Sequence, residues 1–589
     1  MAGSTVSRPL LAVLSCLLLA ACPERPTPKP SAEAPDTIFT GDFITLDASR
    51  PRVQALAVRN GRIVAAGARD EVQALAGAGT RTVAIVGVAV PGWADAHVHD
   101  ADTRGQIIPG EPINLRGMTK SRILESVAAL ARAAKPDETI VGEGWDEGFF
   151  DPPVFPTAAD LDAVSGDHPV VLSRIDGHSS WVNSLVLERS HITRATEDPA
   201  GGRVLRNAVG DPTGILVDRA QALIVRAETD GKGDAGDAAD RARATLQQYA
   251  RLGYTSIHPA GVSLGTIAAY KQLLAGGLPV RVYAMARGDE AVRHYLARGP
   301  EPDLGDGQLA VRSFKFLIDG ALGSRGALLA APYADAPREH GLSMMTDAEL
   351  EGIVRDARAK GFQLNVHAIG DRAVSRVLDA FERGGVTPAD RFRIEHASMV
   401  APADIPRFAR LGVIASMQPV FLGEYSRWAE DRLGPARMRS VLPVRDLLAA
   451  GAVVACGTDY GASDSGDPIR TLSALVAGRS ADGTPGGAWY MPQRVDVDAA
   501  LRCMSTAPAF AAFQEHDLGA LTVGRYADFT VLSADPYKVL PDELQNVAVR
   551  MTVMAGRVTH DDGGRALARN QAGRAPAGAR GEYTLRVNP

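Results

Sequence analysis

The middle of this chain alternates strand-like runs with helical segments, and that alternation restricts the fold more than any other feature. Thr346-Asp347-Ala348-Glu349 forms a capping box ahead of a helical apolar stripe, and the strand-like run 362–367 follows it. A second stripe at 374–381 and a second run at 391–396 repeat the unit. Units of about 30 residues of this kind favour a parallel sheet.

Eight apolar runs in this region have the length and composition of buried strands. They lie at residues 93–97, 254–258, 280–286, 311–318, 362–367, 391–396, 413–418 and 453–458. Eight parallel strands joined by helices close into a TIM-type (β/α)8 barrel, whose active site lies at the carboxyl ends of the strands. The sequence therefore predicts an α/β fold built on such a barrel.

Metal-binding and proton-binding side chains stand at or near the ends of five of these strands. They are His97 and His99 on strand one, Lys315 on strand four, His367 on strand five, His396 on strand six and Asp459 after strand eight. Alternate residues of a strand share a face, so the two histidines of strand one can grip one cation. An isolated His-x-His pair is also typical of hydrogen-bonded or surface histidines. The whole set predicts a metal centre on one rim of the barrel.

Composition places the chain among ordinary globular proteins and excludes other classes. It has 589 residues, 46% hydrophobic and 22% charged, which suffices for a large core with attached modules. The formal net charge is -6 without a long run of one sign, so the sequence lacks the basic footprint of a nucleic-acid-binding protein. A small-molecule partner is expected, and the oligomeric state is left open.

The first residues are typical of a signal for export. Arg8 precedes an apolar run from Leu10 to Ala21 that is too short to span a bilayer, and the run ends in Leu19-Ala20-Ala21-Cys22. This ending looks like the lipobox of bacterial lipoproteins, where Cys22 would carry the lipid, although a plain secretory signal is the alternative. We predict a signal peptide at 1–21 and an extended proline-rich tether at 22–36. The protein is then expected in the bacterial cell envelope, anchored by lipid outside the cytoplasm.

Strand-like runs at the two ends of the chain predict a second, smaller domain. Asn60-Gly61 between two such runs is a strong hairpin signal, and similar runs return at 528–532 and 547–553. Residues 37–90 and 517–565 are therefore expected to build one composite β-sandwich. The barrel would occupy 91–516, with an inserted lid at about 100–236 that exceeds an ordinary loop, and a tail at 566–589.

Two cysteines, Cys456 and Cys503, remain for the folded body once Cys16 leaves with the signal and Cys22 takes lipid. An oxidising compartment would permit a bridge between them. Cys456 lies inside the apolar run 453–456, which favours a buried, unpaired thiol. We expect the unpaired state.

The order of these groups resembles the amidohydrolase superfamily, and Pro91-Gly92-Trp93-Ala94-Asp95-Ala96-His97-Val98-His99 is similar to its first-strand signature. More narrowly, the chain looks like the amidohydrolase 3 family, the group of N-substituted formamide deformylase and YtcJ-like proteins. The resemblance runs from about residue 37 to 560 and rests on motifs at 174–178, 210–214, 315–320, 367–371, 394–396, 457–459 and 524–528.

The resemblance implies that His97, His99, Lys315, His367, His396 and Asp459 bind one or two divalent metal ions, with zinc favoured by the nitrogen and carboxylate donors. Lys315, flanked by Phe314 and Phe316, is costly to bury unpaired. It would either pair with an acid such as Asp319 or Asp459, or become a carbamate that bridges two metals. The family favours the carbamate.

The implied reaction is hydrolysis of an amide or formamide C–N bond by metal-activated water, with Asp459 as general base and then general acid. The alternatives are an N-acyl amino acid deacylase or a cyclic amide hydrolase on the same barrel. No arginine of the sequence can be assigned to the substrate carboxylate that a deacylase would bind. A lipid-anchored binding protein with a degenerate barrel is the non-enzymatic alternative, and it predicts missing ligands.

Two further histidines are candidates for substrate binding. His178 lies in the predicted lid and His258 at the end of strand two, although a structural role is open for both. Trp145 and Trp181 would wall the pocket or fill the core of the lid. Loops at 423–431 and 462–467 are expected to complete the pocket.

Overall fold

The computed structural model describes residues 34–99, 112–225, 235–463, 465–480, 487 and 489–563. The predicted signal peptide, Cys22, most of the tether and the predicted tail lie outside the described residues. Within those residues, none of the helices has the length and apolar character needed to cross a membrane.

The strands form three sheets, and their bounds are as follows. They are β1 (Thr37–Ile44), β2 (Arg52–Arg59), β3 (Arg62–Gly67), β4 (Arg81–Pro91), β5 (Trp93–Val98), β6 (Ile113–Asn114), β7 (Ile140–Trp145), β8 (Val170–Arg174), β9 (Ser179–Val182), β10 (Gly202–Arg206), β11 (Pro212–Asp218), β12 (Tyr254–Val262), β13 (Arg281–Ala286), β14 (Glu301–Leu304), β15 (Leu309–Leu317), β16 (Gln363–Ala368), β17 (Arg393–His396), β18 (Ile414–Met417), β19 (Val454–Cys456), β20 (Phe529–Leu532), β21 (Val549–Met554) and β22 (Arg557–Asp561).

The α-helices connect and cover these strands. They are α1 (Arg69–Gln73), α2 (Lys120–Ala133), α3 (Ala158–Ser165), α4 (Ser184–Arg189), α5 (Ala235–Leu252), α6 (Leu264–Leu273), α7 (Asp289–Arg298), α8 (Asp347–Ala359), α9 (Asp371–Arg383), α10 (Ile405–Leu411), α11 (Leu422–Leu433), α12 (Val444–Ala449), α13 (Pro468–Ala477), α14 (Val497–Met504) and α15 (Thr506–Ala511).

A parallel barrel forms the centre of the molecule, which confirms the predicted fold class. Its strand order is β5-β12-β13-β15-β16-β17-β18-β19, and each neighbouring pair is parallel. All eight predicted strands are present. The ring closes where the amide of Asp459 donates to the carbonyl of His97 at 2.7 Å and the amide of His99 donates to the carbonyl of Tyr460 at 2.9 Å.

Helices form as the local sequence dictates. Thr346 caps α8 by accepting from the amide of Glu349, while the Glu349 carboxylate accepts from the amide of Thr346, so the predicted capping box is confirmed. Val374, Val377 and Phe381 of α9 are buried on the face turned to the barrel. The apolar stripe of α9 thus covers the outside of the barrel.

A seven-stranded sheet joins the two ends of the chain, in the order β22-β21-β20-β4-β1-β2-β3. The predicted hairpin turn is present, since Asn60 and Gly61 both have positive φ between β2 and β3. Phe39 and Phe43 pack edge-on against Phe529 of the opposite chain end, with ring centroids 5.0 and 5.6 Å apart. The amide of Ile63 on β3 donates to the carbonyl of Arg525 at 2.8 Å, and this hydrogen bond connects β3 with the C-terminal part of the chain.

A third sheet lies in the segment between barrel strands β5 and β12, where the lid was expected. Its six strands have the order β10-β11-β9-β8-β7-β6. Trp145 and Trp181 are fully buried in its core, and their rings meet edge-on at 6.1 Å between centroids. Of the two roles considered for these tryptophans, the structure supports packing.

The prediction of an unpaired Cys456 is wrong. Cys456 on β19 forms a disulfide with Cys503 on α14, and 47 residues separate the two cysteines in the chain. The helix packs its buried face against the outside of that strand, which brings the two Cα atoms to 5.2 Å. Sequence spacing contained no information about this approach.

Candidate metal centre

The first-strand histidines reach the carboxyl end of β5 and its following loop, side by side with Asp459. Asp459 Oδ1 lies 3.1 Å from His99 Nε2 and 3.4 Å from His97 Nε2. The potential ligand atoms of these three residues all lie within 4.8 Å of one another. Two imidazole nitrogens and a carboxylate oxygen in such a cluster suit zinc and similar divalent ions.

Burial keeps the His97 ring in the form that binds metals. The side chain is fully buried, and burial together with the nearby Lys315 lowers the pKa of His97 to about 4. A neutral imidazole presents a free nitrogen lone pair near neutral pH. His97 Nε2 faces Asp459 while His97 Nδ1 is engaged elsewhere, so Nε2 is the nitrogen available to a metal.

His367 and His396 form a second group of donors beside the first. The His396 ring centroid lies 4.5 Å from that of His367 and 4.6 Å from that of His97. Burial lowers the pKa of both side chains well below the usual histidine value. The two histidines lie beside the tighter cluster of His97, His99 and Asp459 and do not belong to it.

Lys315 completes the set from β15. Its side chain is buried, and Nζ lies 3.2 Å from His97 Nε2. Burial lowers the pKa of the amine to about 8. Among the described residues no carboxylate lies within ion-pair distance of Nζ, so the ion pair with Asp319 or Asp459, considered as the alternative to a carbamate, is absent. Asp319 instead accepts from three backbone amides, including those of Ile369 and Gly370.

The Asp459 carboxylate fits a metal ligand better than a structural cap. Its Oδ1 is buried and makes no well-oriented hydrogen bond to any described residue. Burial acts to raise the pKa of Asp459, but the imidazoles of His97 and His99 outweigh it and hold the pKa below its usual range. A buried, ionised oxygen beside an imidazole that stays neutral, as His97 does, is costly unless a cation lies close to it.

Glu395 orients His97, a role that the sequence analysis missed. Its Oε2 lies 2.5 Å from His97 Nδ1, and its Oε1 lies 2.7 Å from Arg393 Nε. All three side chains are fully buried. Burial acts to raise the pKa of Glu395, but the opposing effect of Arg393 and His97 is larger. The pKa therefore falls below its usual range, and the carboxylate stays ionised. A carboxylate behind a ligating histidine fixes the ring and its tautomer.

A signal for Glu395 was present in the sequence. Arg393 and Glu395 are alternate residues of the predicted strand 391–396 and so share one of its faces, and opposite charges on one face of a buried strand are expected to pair. His396 has an analogous partner, because Gln418 Oε1 lies 2.8 Å from His396 Nδ1. Gln418 follows β18, and nothing in the sequence connected it with the site.

Five of the six donors, all except His97, line a cavity of about 770 Å³ whose wall also includes lid residues such as Arg174. His178 lines this cavity, and its ring centroid lies 5.2 Å from that of His367. His178 Nδ1 lies 2.5 Å from Asp218 Oδ1; burial lowers the pKa of His178, but Asp218 outweighs it and raises the pKa. His178 therefore lies in the wall of the cavity, and its role in substrate binding stays a prediction.

His258 lies away from this cavity. Its ring packs on Tyr283 at 5.2 Å between centroids, and its Nδ1 lies 3.2 Å from Arg393 Nη1. The described residues that line the cavity do not include it. A role in substrate binding stays a prediction, and the contacts with Arg393 connect His258 to the ion pair behind His97.

Buried ion pairs fasten the lid to the barrel. Arg174 at the end of β8 contacts Glu147 at 2.9 Å, and Glu147 contacts Arg432 on α11 at 2.7 Å. Arg427 on the same helix contacts Asp146 at 2.7 Å. Residues 423–431, expected to be a loop, therefore belong to a helix that presents two arginines to the lid.

A (β/α)8 barrel with these donors at the carboxyl rim defines a metal-dependent hydrolase. Residues 87–560 match the Amidohydrolase family, and the chain belongs to that family. The chain is 32% identical over 541 residues to YtcJ of Bacillus subtilis (strain 168), which is named as an amidohydrolase, covering 89% of this chain and 99% of YtcJ.

Two further comparisons agree with this assignment. The N-substituted formamide deformylase of Arthrobacter pascens is 25% identical over 547 residues, covering 89% of this chain and 98% of the deformylase. Among solved structures, an uncharacterized metal-dependent hydrolase from Pyrococcus horikoshii OT3 superposes with a TM-score of 0.67 at 26% identity, covering 86% of this chain and 99% of that chain.

Proposed function

We propose that the protein hydrolyses the C–N bond of a small amide, and that N-substituted formamides are among its substrates. The observation that carries this proposal is the gathering of metal donors on the floor of a cavity of about 770 Å³, large enough for a small organic substrate. The similarity to an N-substituted formamide deformylase supports the choice of bond.

The residues divide the work as follows. The imidazoles and the Asp459 carboxylate would hold a divalent metal, and a bound metal would supply polarisation of a carbonyl oxygen and activation of water near neutral pH. Asp459, ionised and facing the ligand cluster, takes the proton of the attacking water and returns it to the leaving nitrogen. Glu395 keeps His97 oriented throughout.

We also propose that Lys315 carries a carbamate and so serves as an anionic ligand. Its amine is buried without an acidic partner, and its pKa of about 8 leaves a sizeable neutral fraction to react with carbon dioxide. The resulting carboxylate would supply oxygen donors between the two groups of imidazoles. A cationic ammonium in the same place would repel a metal ion.

Metal analysis combined with a substrate panel tests the proposed function. Purified protein is assayed against N-substituted formamides, N-acyl amino acids and cyclic amides, before and after treatment with a chelator. Amine release that chelation abolishes and zinc restores is the expected result. Metal-replete protein that hydrolyses none of these amides would refute the C–N bond assignment and leave hydrolysis of another bond, or a binding protein on a hydrolase barrel, as the interpretations.

A further inference from the structure

We infer that the substrate carries a carboxylate or similar anionic group next to the scissile amide, and that Arg287 binds it. This inference rests on the proposed function and narrows its substrate class. Arg287 follows β13 at the carboxyl rim of the barrel and lines the same cavity as the metal donors. Its side chain is exposed toward the cavity.

Most charged side chains of the cavity are already paired. Arg116 contacts Glu143 at 3.2 Å, Arg174 contacts Asp176 at 2.6 Å, and His178 contacts Asp218 at 2.5 Å. In each of these pairs the opposite charges offset each other, so the pair contributes little net charge to the cavity. The guanidinium of Arg219, which also lines the cavity, donates to the carbonyl of Met344 at 2.8 Å.

Arg287 differs from these residues. In the described part of the chain its guanidinium has neither a carboxylate within ion-pair distance nor a hydrogen-bond acceptor. The surrounding protein lowers the pKa of Arg287 by desolvation, and no acid offsets that effect. Asp289, two residues later, lies 3.7 Å from Arg293 on α7 instead. A guanidinium held without a partner in a substrate cavity is suited to an anionic ligand.

Contacts with strand β12 fix the backbone and the side-chain stem of Arg287. Its amide donates to the carbonyl of Val262 at 3.0 Å, at the end of the neighbouring strand β12. Its stem crosses Gly261, where an added Cβ would come within 2.7 Å of Arg287 Cδ. Because Gly261 has no side chain, the stem of Arg287 has room to pass over it.

Arg287 also lies within electrostatic reach of the reaction centre. Arg287 lines the same cavity as Lys315 and Asp459, so its guanidinium and the metal donors face one substrate space. A substrate held by Arg287 through a carboxylate would put a nearby amide over those donors. N-acyl and N-formyl amino acids, in which one carbon separates the amide nitrogen from the carboxylate, have this arrangement.

Matched pairs of substrates test the inference. N-formyl and N-acetyl amino acids with a free carboxylate are compared with the same compounds capped as primary carboxamides, by the rate of amine release. Wild-type protein is expected to prefer the free acids at least tenfold in kcat/KM. Arg287→Gln should lower kcat/KM on the acids by about 10- to 100-fold, mainly through KM, because a charge-assisted hydrogen bond is lost, and leave the carboxamides within about twofold.

The matched control is Arg293→Gln, an exposed arginine on α7 that contacts Asp289 and does not line the cavity. It should leave both substrate series unchanged. Metal content is measured for every variant. Equal loss on both series together with loss of metal would overturn the inference, because Arg287 would then support the Lys315 ligand.

The two proposals fail in different ways. Wild-type protein that cleaves neutral formamides or carboxamides as well as the free acids would refute the role of Arg287 and leave C–N hydrolysis intact. Metal-replete protein that releases no amine from either series or from neutral formamides would refute both.

Discussion

His396 and Asp459 show how single residues of the site are positioned by the backbone. His396 ends β17 with φ +75 and Asp459 follows β19 with φ +57, a region that residues other than glycine seldom adopt. Strict alternation along the strand would turn His396 away from Glu395. The left-handed conformation turns the His396 ring back toward His97 instead. Such conformations cost on the order of 1–3 kcal/mol each and persist where the surroundings enforce them.

Replacement of Asp459 by asparagine separates proton transfer from metal binding. Asp459→Asn keeps an oxygen donor of similar shape but cannot take a proton, so we expect kcat to fall by about 10²- to 10⁴-fold while metal content stays near that of the wild type. Steady-state kinetics and elemental analysis on the same preparation measure both. A variant with near-normal kcat would show that another group accepts the proton.

Glu395→Gln tests the carboxylate behind His97. The change leaves the buried Arg393 without its anionic partner and weakens the hold on the imidazole. We expect metal affinity to fall by about 10- to 100-fold and unfolding free energy to fall by about 3–5 kcal/mol. Competition with a chelator and denaturant unfolding measure the two effects.

Glu382→Gln is the control for that experiment. Glu382 contacts Arg407 and Arg410 on the surface, far from the metal donors, and such exposed pairs contribute little. The control should match the wild type in metal affinity and nearly in stability. Equal behaviour of the two variants would mean that Glu395 does not support the site.

At the scale of elements, the barrel strands supply the candidate ligands and the lid supplies part of the cavity wall. β5, β15, β16 and β17 each bring donors to one rim, and β8, β9 and β11 bring His178 and its partner Asp218 over it. The ion pairs between the lid and α11 hold these two layers in register. Buried pairs of this kind are strongly destabilising when one partner is removed, which argues for a lid fixed in position.

The disulfide between β19 and α14 should stabilise the last barrel strand, which leads directly to Asp459. Closing a loop of 47 residues removes unfolded-state entropy worth about 4 kcal/mol in the chain-entropy account. We expect the double variant Cys456→Ala, Cys503→Ala to melt at a lower temperature than the oxidised wild type. Thermal unfolding with and without reductant measures this, and the variant itself should be insensitive to reductant. Equal melting of oxidised wild type and variant would contradict the prediction.

At the scale of the whole molecule, strands from the two chain ends form one seven-stranded sheet. The described chain therefore begins next to that sheet. We propose that the preceding segment tethers the protein to a membrane through a lipid on Cys22. The disulfide supports export, because such bonds persist in oxidising compartments outside the cytoplasm.

Cys22→Ser tests the tether. Without the thiol no lipid can be attached, so we expect the protein to move from the membrane fraction to the soluble fraction in its native host. Cys16→Ser is the matched control, since Cys16 lies within the predicted signal and should leave the anchoring unchanged. Immunoblotting of the two fractions measures the distribution. Retention of the Cys22→Ser protein in the membrane fraction would refute the lipid anchor.

The sequence by itself determined the barrel and the order of its strands, and it predicted the candidate ligand residues that gather at one rim. These features depend on residues that are close together in the sequence, namely the periodicity of apolar residues and short motifs such as His97-Val98-His99 at a strand end. The hairpin at Asn60-Gly61 was predictable for the same reason, since two adjacent residues decide the turn.

Only the tertiary structure decided which distant side chains meet. The partner of Cys456, the support that Glu395 gives to His97 and the absence of an acid near Arg287 all depend on how strands and helices far apart in the chain pack together. A local pattern fixes the face on which a side chain lies, but the contact itself is set by packing across hundreds of residues. The pairing of charges in the cavity therefore belongs to the folded molecule alone.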